Sequence, residues 1–245
     1  MKLKTLVLIT LVVFACSVMF AEGPAKSLSS AKGSAWGSGH MSLTRQASDF
    51  YQSGTFDYSN ANANGLWNAN SSGYGINGQV FVSYEAPGTG ASVTDITFYE
   101  LIDGTTGLGS GTYTILDGNV TSGSGGTTYK TGNCSSVTNS YTGITGFGFP
   151  LYAITCNIKK AVKLKAGVSY WINFDPNIYL LGYLGDIEDM PDATYYGGGS
   201  DEFYNSYFNS SSFGYTFANT STYSSGSACG GIGCDDFMIS LSGTL

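Results

Sequence analysis

Six carboxylates crowd one stretch of this 245-residue chain: Asp186, Glu188, Asp189, Asp192, Asp201 and Glu202 all fall within residues 186–202. Acids at that density serve one of three ends. They can hold a hard cation such as Ca2+, which takes roughly 6–8 oxygen ligands. They can face each other across a sugar as the two carboxyls of glycoside hydrolysis. Otherwise they only keep a loop wet. The solvated loop is the simplest reading, since any acidic loop offers such pairs and the order of acids does not follow the EF-hand pattern. Asp186, Glu188, Asp189 and Asp192 are the candidate calcium ligands, and catalysis ranks behind both.

Aromatic residues stand among and before these acids: Tyr195, Tyr196 and Tyr204 downstream, and Trp67 in the Asn/Gly-rich run 60–78. A flat apolar face with a polar tip suits stacking on a sugar ring and is common at wet interfaces. These four are the candidate ligand-contact residues, with ordinary packing of a Leu-poor core as the competing reading. Nucleophilic catalysis finds no footing. The sole histidine, His40, lies far from the folded part, no GxSxG elbow occurs, and no Gly-rich loop with Lys-Ser/Thr offers a phosphate cradle.

Cysteines and the N-terminus speak to compartment. "MKLKTLVLITLVVFACSVMFAEG" places Lys2 and Lys4 before an apolar run ending near Ala21. It reads as a signal peptide over 1–21, shorter than the roughly 20 apolar residues of a spanning helix plus its flanks. Lipidation of Cys16 is the alternative, although Phe14 fits that motif poorly. A mature chain would then carry no membrane span and would be secreted or held at the cell surface. It would keep Cys134, Cys156, Cys229 and Cys234, an even set that reads as disulfides in an exported protein. The short "GGIG" loop between Cys229 and Cys234 favours that local bridge, which leaves Cys134 for Cys156. With no CxxC pair, zinc is disfavoured.

Loss of residues 1–21 removes two lysines and no acid, shifting the net charge from −7 to about −9. Phosphate neutralisation needs clustered Lys and Arg, so nucleic acid is excluded as a partner. Half the remaining base sits in "IKKAVKLK" as Lys159, Lys160, Lys163 and Lys165, where lysines most simply protect a strand edge from pairing. Thirty-five glycines, eighteen tyrosines and only 11% charged residues describe an extracellular all-β protein wetted by hydroxyls and amides.

The elements that must position these residues are strands, because no window sustains a 3.6-residue apolar period. Residues 22–48 are small, polar and unpatterned, and read as a flexible leader. From residue 49 to 245, one domain is expected. Strands are predicted over 78–86, 92–102, 111–118, 150–164, 168–176 and 236–244, separated by turn signals about ten residues apart. The segments 60–78 and 182–215 are expected to be long loops. Alternation in "VSYWINFDP" puts Tyr170 with Ile172 and Phe174 in the core, and Trp171 with Asn173 and Asp175 facing out or lying under a covering loop. The fold class expected is an antiparallel β-sandwich, jelly-roll-like.

In order along the chain, "SVTDITFYEL", "ITGFGFPLYAITCNIKKAVKLKAGVSYWINF" and "DDFMISLSGT" resemble secreted bacterial sandwich proteins of the PEP-CTERM group. The likeness spans about residues 57–245 as a pattern of strands and turns. It implies an extracellular matrix or surface role and supplies no catalytic residues. The group's Pro-Glu-Pro motif, apolar span and basic tail do not appear before Leu245. The function expected is a non-catalytic surface or matrix protein that adheres to polysaccharide or a surface protein. The alternative is a self-associating structural subunit that pairs through an edge strand or a donated strand.

Overall fold

The computed structural model describes residues 49–52, 65–71, 75–102, 108–146, 149–178, 184–187, 196–197, 206–219 and 237–245. Within them the chain is all-β, in two sheets. Sheet I is built around β5 (Ala91–Ile102), whose alternating Val93, Ile96 and Phe98 are all buried. On one side of β5 runs β9 (Phe149–Leu164), followed by β8 (Ser136–Gly146). On the other side β15 (Ile239–Thr244) and β11 (Leu184–Ile187) lie end to end. From β15 the sheet continues to β1 (Asp49–Gln52) and β12 (Tyr196–Gly197), and from β11 to β2 (Gly65–Trp67).

Sheet II has the order β14 (Tyr215–Asn219), β13 (Ser206–Ser210), β4 (Ile76–Glu85), β3 (Ala69–Ser71), β10 (Ser169–Ile178), β6 (Ser110–Asp117), β7 (Thr127–Asn133). All the strand pairings are antiparallel except that of β3 with β10, which is parallel, so the sheet is mixed where an antiparallel one was expected. The six strands predicted from alternation are present. The two segments read as loops are not wholly loops: β2 and β3 lie in 60–78, and β11, β12 and β13 lie in 182–215. Those strands are short and carry little pattern of their own, and their positions are set by pairing with longer neighbours.

Both sheets contribute to one core. Val80, Val82 and Tyr84 of β4, Ile115 of β6, and Tyr170, Ile172 and Phe174 of β10 meet Ile96 and Phe98 of β5 and Ile154 and Cys156 of β9. Phe98 and Phe174 touch edge to face at 6.4 Å between ring centres, across the two sheets. Each such side chain contributes about 1.5–3 kcal/mol by leaving water. Tyr170 keeps its hydroxyl satisfied by accepting from the Lys165 N–H at 2.9 Å.

Trp171 resolves the choice left by its parity. It is buried in a second, smaller cluster with Phe81, Leu116, Val120 and Tyr207, on the face of β10 opposite Tyr170. Its ring meets Tyr207 at 4.9 Å. Phe217 of β14 closes the cluster, 5.2 Å from Phe81. The covering alternative is the one realised.

Cys134, just after β7, is bonded to Cys156 in the core of β9, as the sequence pairing expected. The bond ties the β7–β8 connection to the middle of sheet I. Cys229 and Cys234 lie outside the described residues. Exposed Lys159, Lys160 and Lys163 stand on the stretch of β9 beyond Asn157, where β8 no longer pairs with it. That stretch is a sheet edge among the described residues, which is where the charge is needed.

Candidate functional site

Asn68 sits between β2 and β3, at the step where the chain leaves sheet I and enters sheet II. In sheet II, β4 and β10 pair directly from Ser169↔Glu85 to Ile172↔Val82 and then part, and β3 enters between them. The ladder groups at the fork need new partners, because a buried unpaired peptide group is costly. The Asn68 amide supplies them. Its Oδ1 accepts from the Val80 N–H at 3.0 Å, and its Nδ2 donates to the Phe174 carbonyl at 3.0 Å. The remaining valences also reach side chains: Asn173 Nδ2 donates to Oδ1 at 3.1 Å, and Nδ2 donates to Glu100 Oε1 at 3.1 Å. Two donors and two acceptors are the full capacity of an amide, and all are used.

Asn173 adds a donation to the Val80 carbonyl at 2.9 Å. Two residues on, Asp175 is hydrogen-bonded by the Gln79 side chain, which in turn accepts from Asn209 Nδ2 at 3.2 Å. A polar line therefore runs from Asn209 through Gln79 to Asp175, and from Asn173 through Asn68 to Glu100. Its acids are shifted. Burial raises the Glu100 carboxyl well above its usual range, the Asn68 hydrogen bond opposes that, and the charge of Asp175 adds to it. Burial likewise raises Asp175 to about 7, against the Gln79 hydrogen bond. Burial thus favours the neutral form of the Glu100 carboxyl, which Asn68 holds in place.

Glu100 is also one member of a cross-strand row in sheet I. Register places Glu100, Tyr152 and Tyr141 opposite one another on β5, β9 and β8. Opposite residues in a sheet share a face. Along this row burial falls from complete at Glu100, through half-buried Tyr152, to Tyr141 at 51% exposed. The two tyrosine rings pack at 5.6 Å. Among the described residues Tyr141 is the exposed large aromatic, and it stands on a strand without a charged residue from Ser136 to Gly146.

The structure distributes the sequence candidates unevenly. Asp186 lies on β11 and Trp67 on β2, one step apart in the same ladder, and Tyr196 pairs with Gln52 on β12. Only the backbone positions of these three are described. Tyr195, Tyr204, Glu188, Asp189 and Asp192 lie outside the described residues. Among the described residues, no three acidic, histidine or cysteine side chains stand close enough to hold a metal. No helix among them is long and apolar enough to cross a membrane.

Sequence reading missed Glu100, Asn68 and Tyr141. The signal for Glu100 was present, since it falls in phase with Ile96 and Phe98 on a core-facing strand. Tyr141 carries no such signal, because "SVTNSYTGITG" has no strong alternation. No family model, curated protein or solved structure matches this chain.

Proposed function

We propose that this chain is a non-catalytic, secreted surface or matrix protein that adheres to extracellular polysaccharide through aromatic contact. In this reading the two sheets form a jelly-roll-like sandwich of the kind the PEP-CTERM resemblance implies. The observation that carries it is Tyr141: an exposed ring, braced by Tyr152, on a strand lined with hydroxyls and an amide and free of charge. A neutral sugar needs a flat apolar surface beside uncharged hydrogen-bonding groups, and β8 offers both.

Affinity electrophoresis through gels containing neutral or acidic polysaccharides tests the proposal, with a glycan array to name the sugar. Retardation of the unmutated chain is expected, and Tyr141→Ala should weaken it about tenfold, the effect of losing one stacked ring. Free migration of the unmutated chain in every gel, or full retention of the variant, would reject the assignment.

A further inference from the structure

The flank of sheet I that carries β8 is protected unevenly. Where β9 forms the edge, Lys159, Lys160 and Lys163 are exposed along it, and the register with β5 is broken between Val93 and Asp95. On the neighbouring edge of sheet II, β7 is shorter and carries exposed Lys130. Lysines, bulges and short length are the devices that keep an edge from pairing with another chain. Between these two guarded edges, β8 runs from Ser136 to Gly146 with β9 as its one strand partner among the described residues. It has no Lys, no Pro and no acid, and its register stays regular from Ser136 to Tyr141, breaking only before Thr145, where Gly143 takes a φ of 86°. The Cys134–Cys156 bond anchors its start to the core, so the open edge is held in extended form.

We propose that β8 is a homotypic pairing edge, through which two copies of this chain join antiparallel about a two-fold axis at Asn139. The occupant follows from the sequence of the edge. Register with β9 puts Val137, Asn139 and Tyr141 opposite Cys156, Ile154 and Tyr152, and puts Thr138 and Ser140 opposite Thr155 and Ala153. A two-fold at Asn139 sets Val137 against Tyr141 of the other copy on one face. It sets Thr138 against Ser140 on the other face, and Asn139 against itself. Val137 with Tyr141 is a β-branched–aromatic pair and Thr138 with Ser140 a hydroxyl pair, both of a kind that stabilises adjacent strands, and the axis itself passes an uncharged Asn139 pair. The net charge of −7 lies wholly off this edge, so two copies meet here without like charges facing. The contact is isologous and closes at two, and sheet I becomes continuous through both copies. It uses the backbone edge of β8 and does not depend on the sugar-contact reading.

Sedimentation velocity and non-reducing gels of the full chain test this. The unmutated chain should pass from monomer to dimer as concentration rises through roughly the micromolar range, as befits an interface below standard size. Thr138→Lys with Ser140→Lys extends the lysine guard over two exposed positions and should leave monomer at every concentration. Asn139→Cys should form a disulfide-linked dimer, while Thr128→Cys on β7 should not. A monomeric unmutated chain, a lysine variant that still dimerises, or equal cross-linking at both cysteine positions would overturn the proposal. Sedimentation of the unmutated chain without polysaccharide reads the pairing edge, and its retardation in the polysaccharide gels reads adhesion, so failure of one assignment leaves the other visible.

Discussion

The two faces of β10 are both buried, yet they are built on different chemistry. Toward the core between the sheets stand Tyr170, Ile172 and Phe174. On the other side Trp171 is followed by Asn173 and Asp175, equally removed from solvent. The first face holds together by excluding water and by contact, with one hydroxyl to satisfy. The second gives Asn173 and Asp175 hydrogen bonds yet leaves one oxygen of each, Asn173 Oδ1 and Asp175 Oδ1, buried without one, and a desolvated polar group left unpaired destabilises by about 1–3 kcal/mol. Polarity here marks the place where β4 and β10 part and β3 enters. Burial alone does not separate core from machinery; the hydrogen-bond ledger of the second face does.

The sharpest way to break that contrast is at Asn68. Replacing it with Ala removes four hydrogen bonds at once and strands the Val80 N–H, the Phe174 carbonyl and the Glu100 carboxyl in the interior. With three or four groups unsatisfied, the expected loss is about 4 kcal/mol or more, at least as large as truncating a core Phe. Urea unfolding measures it. A loss of under about 1 kcal/mol, the scale of a surface substitution, would mean that the fork closes without the amide.

The next difference is one of pH. Asp175 titrates at about 7 in the folded chain against an ordinary 3.8, and Glu100 is raised in the same direction. Between those values the folded state keeps protons that the unfolded chain has released. The stability these acids contribute is therefore fully present below about pH 4 and is lost as pH rises toward and through 7. For Asp175 alone the span is up to about 4 kcal/mol. Asp175→Asn should flatten much of the slope of the urea midpoint between pH 4 and 8 and raise the midpoint at pH 8. Phe174→Leu, on the apolar face, should shift the midpoint equally at all pH values. A variant at Asp175 that leaves the slope unchanged would remove it from the proton count.

How much of this could be read from the chain depends on which face a residue serves. The apolar face announces itself: alternation over 92–102, 150–164 and 168–176 placed β5, β9 and β10, and the parity of Tyr170 and Trp171 was correct. The polar face has no period. Asn68 lies in an Asn/Gly run that looks like any loop, and it gains meaning only when Val80, Phe174 and Glu100 arrive from 12, 106 and 32 residues away. Likewise β8 lacks an apolar stripe because little of it faces the core, so its extended form follows from β9 and from Cys134. Tertiary pairing, rather than propensity, decides such strands.

The smallest effect belongs to Phe217, which closes the second face. It is the non-glycine residue with positive φ among the described residues, at 42°. Its ring covers Phe81 and lies so near Gly125 that a side chain there would collide with it. The strap is pinned by the Gly123 N–H, which donates to the Thr216 and Phe217 carbonyls at 3.1 and 3.2 Å. Two substitutions separate ring from backbone. Phe217→Ala loses the ring and keeps the left-handed conformation, which costs an L-residue about 1–2 kcal/mol. Phe217→Gly loses the same ring and relieves the strain, offset in part by the freedom glycine adds to the unfolded chain. The glycine variant should therefore be the more stable of the two by about 0.5–1 kcal/mol, read from paired urea curves. If the alanine variant is the more stable, the backbone at 217 relaxes without its ring, and the ring itself, not the loop around it, is what holds the strap in its turn.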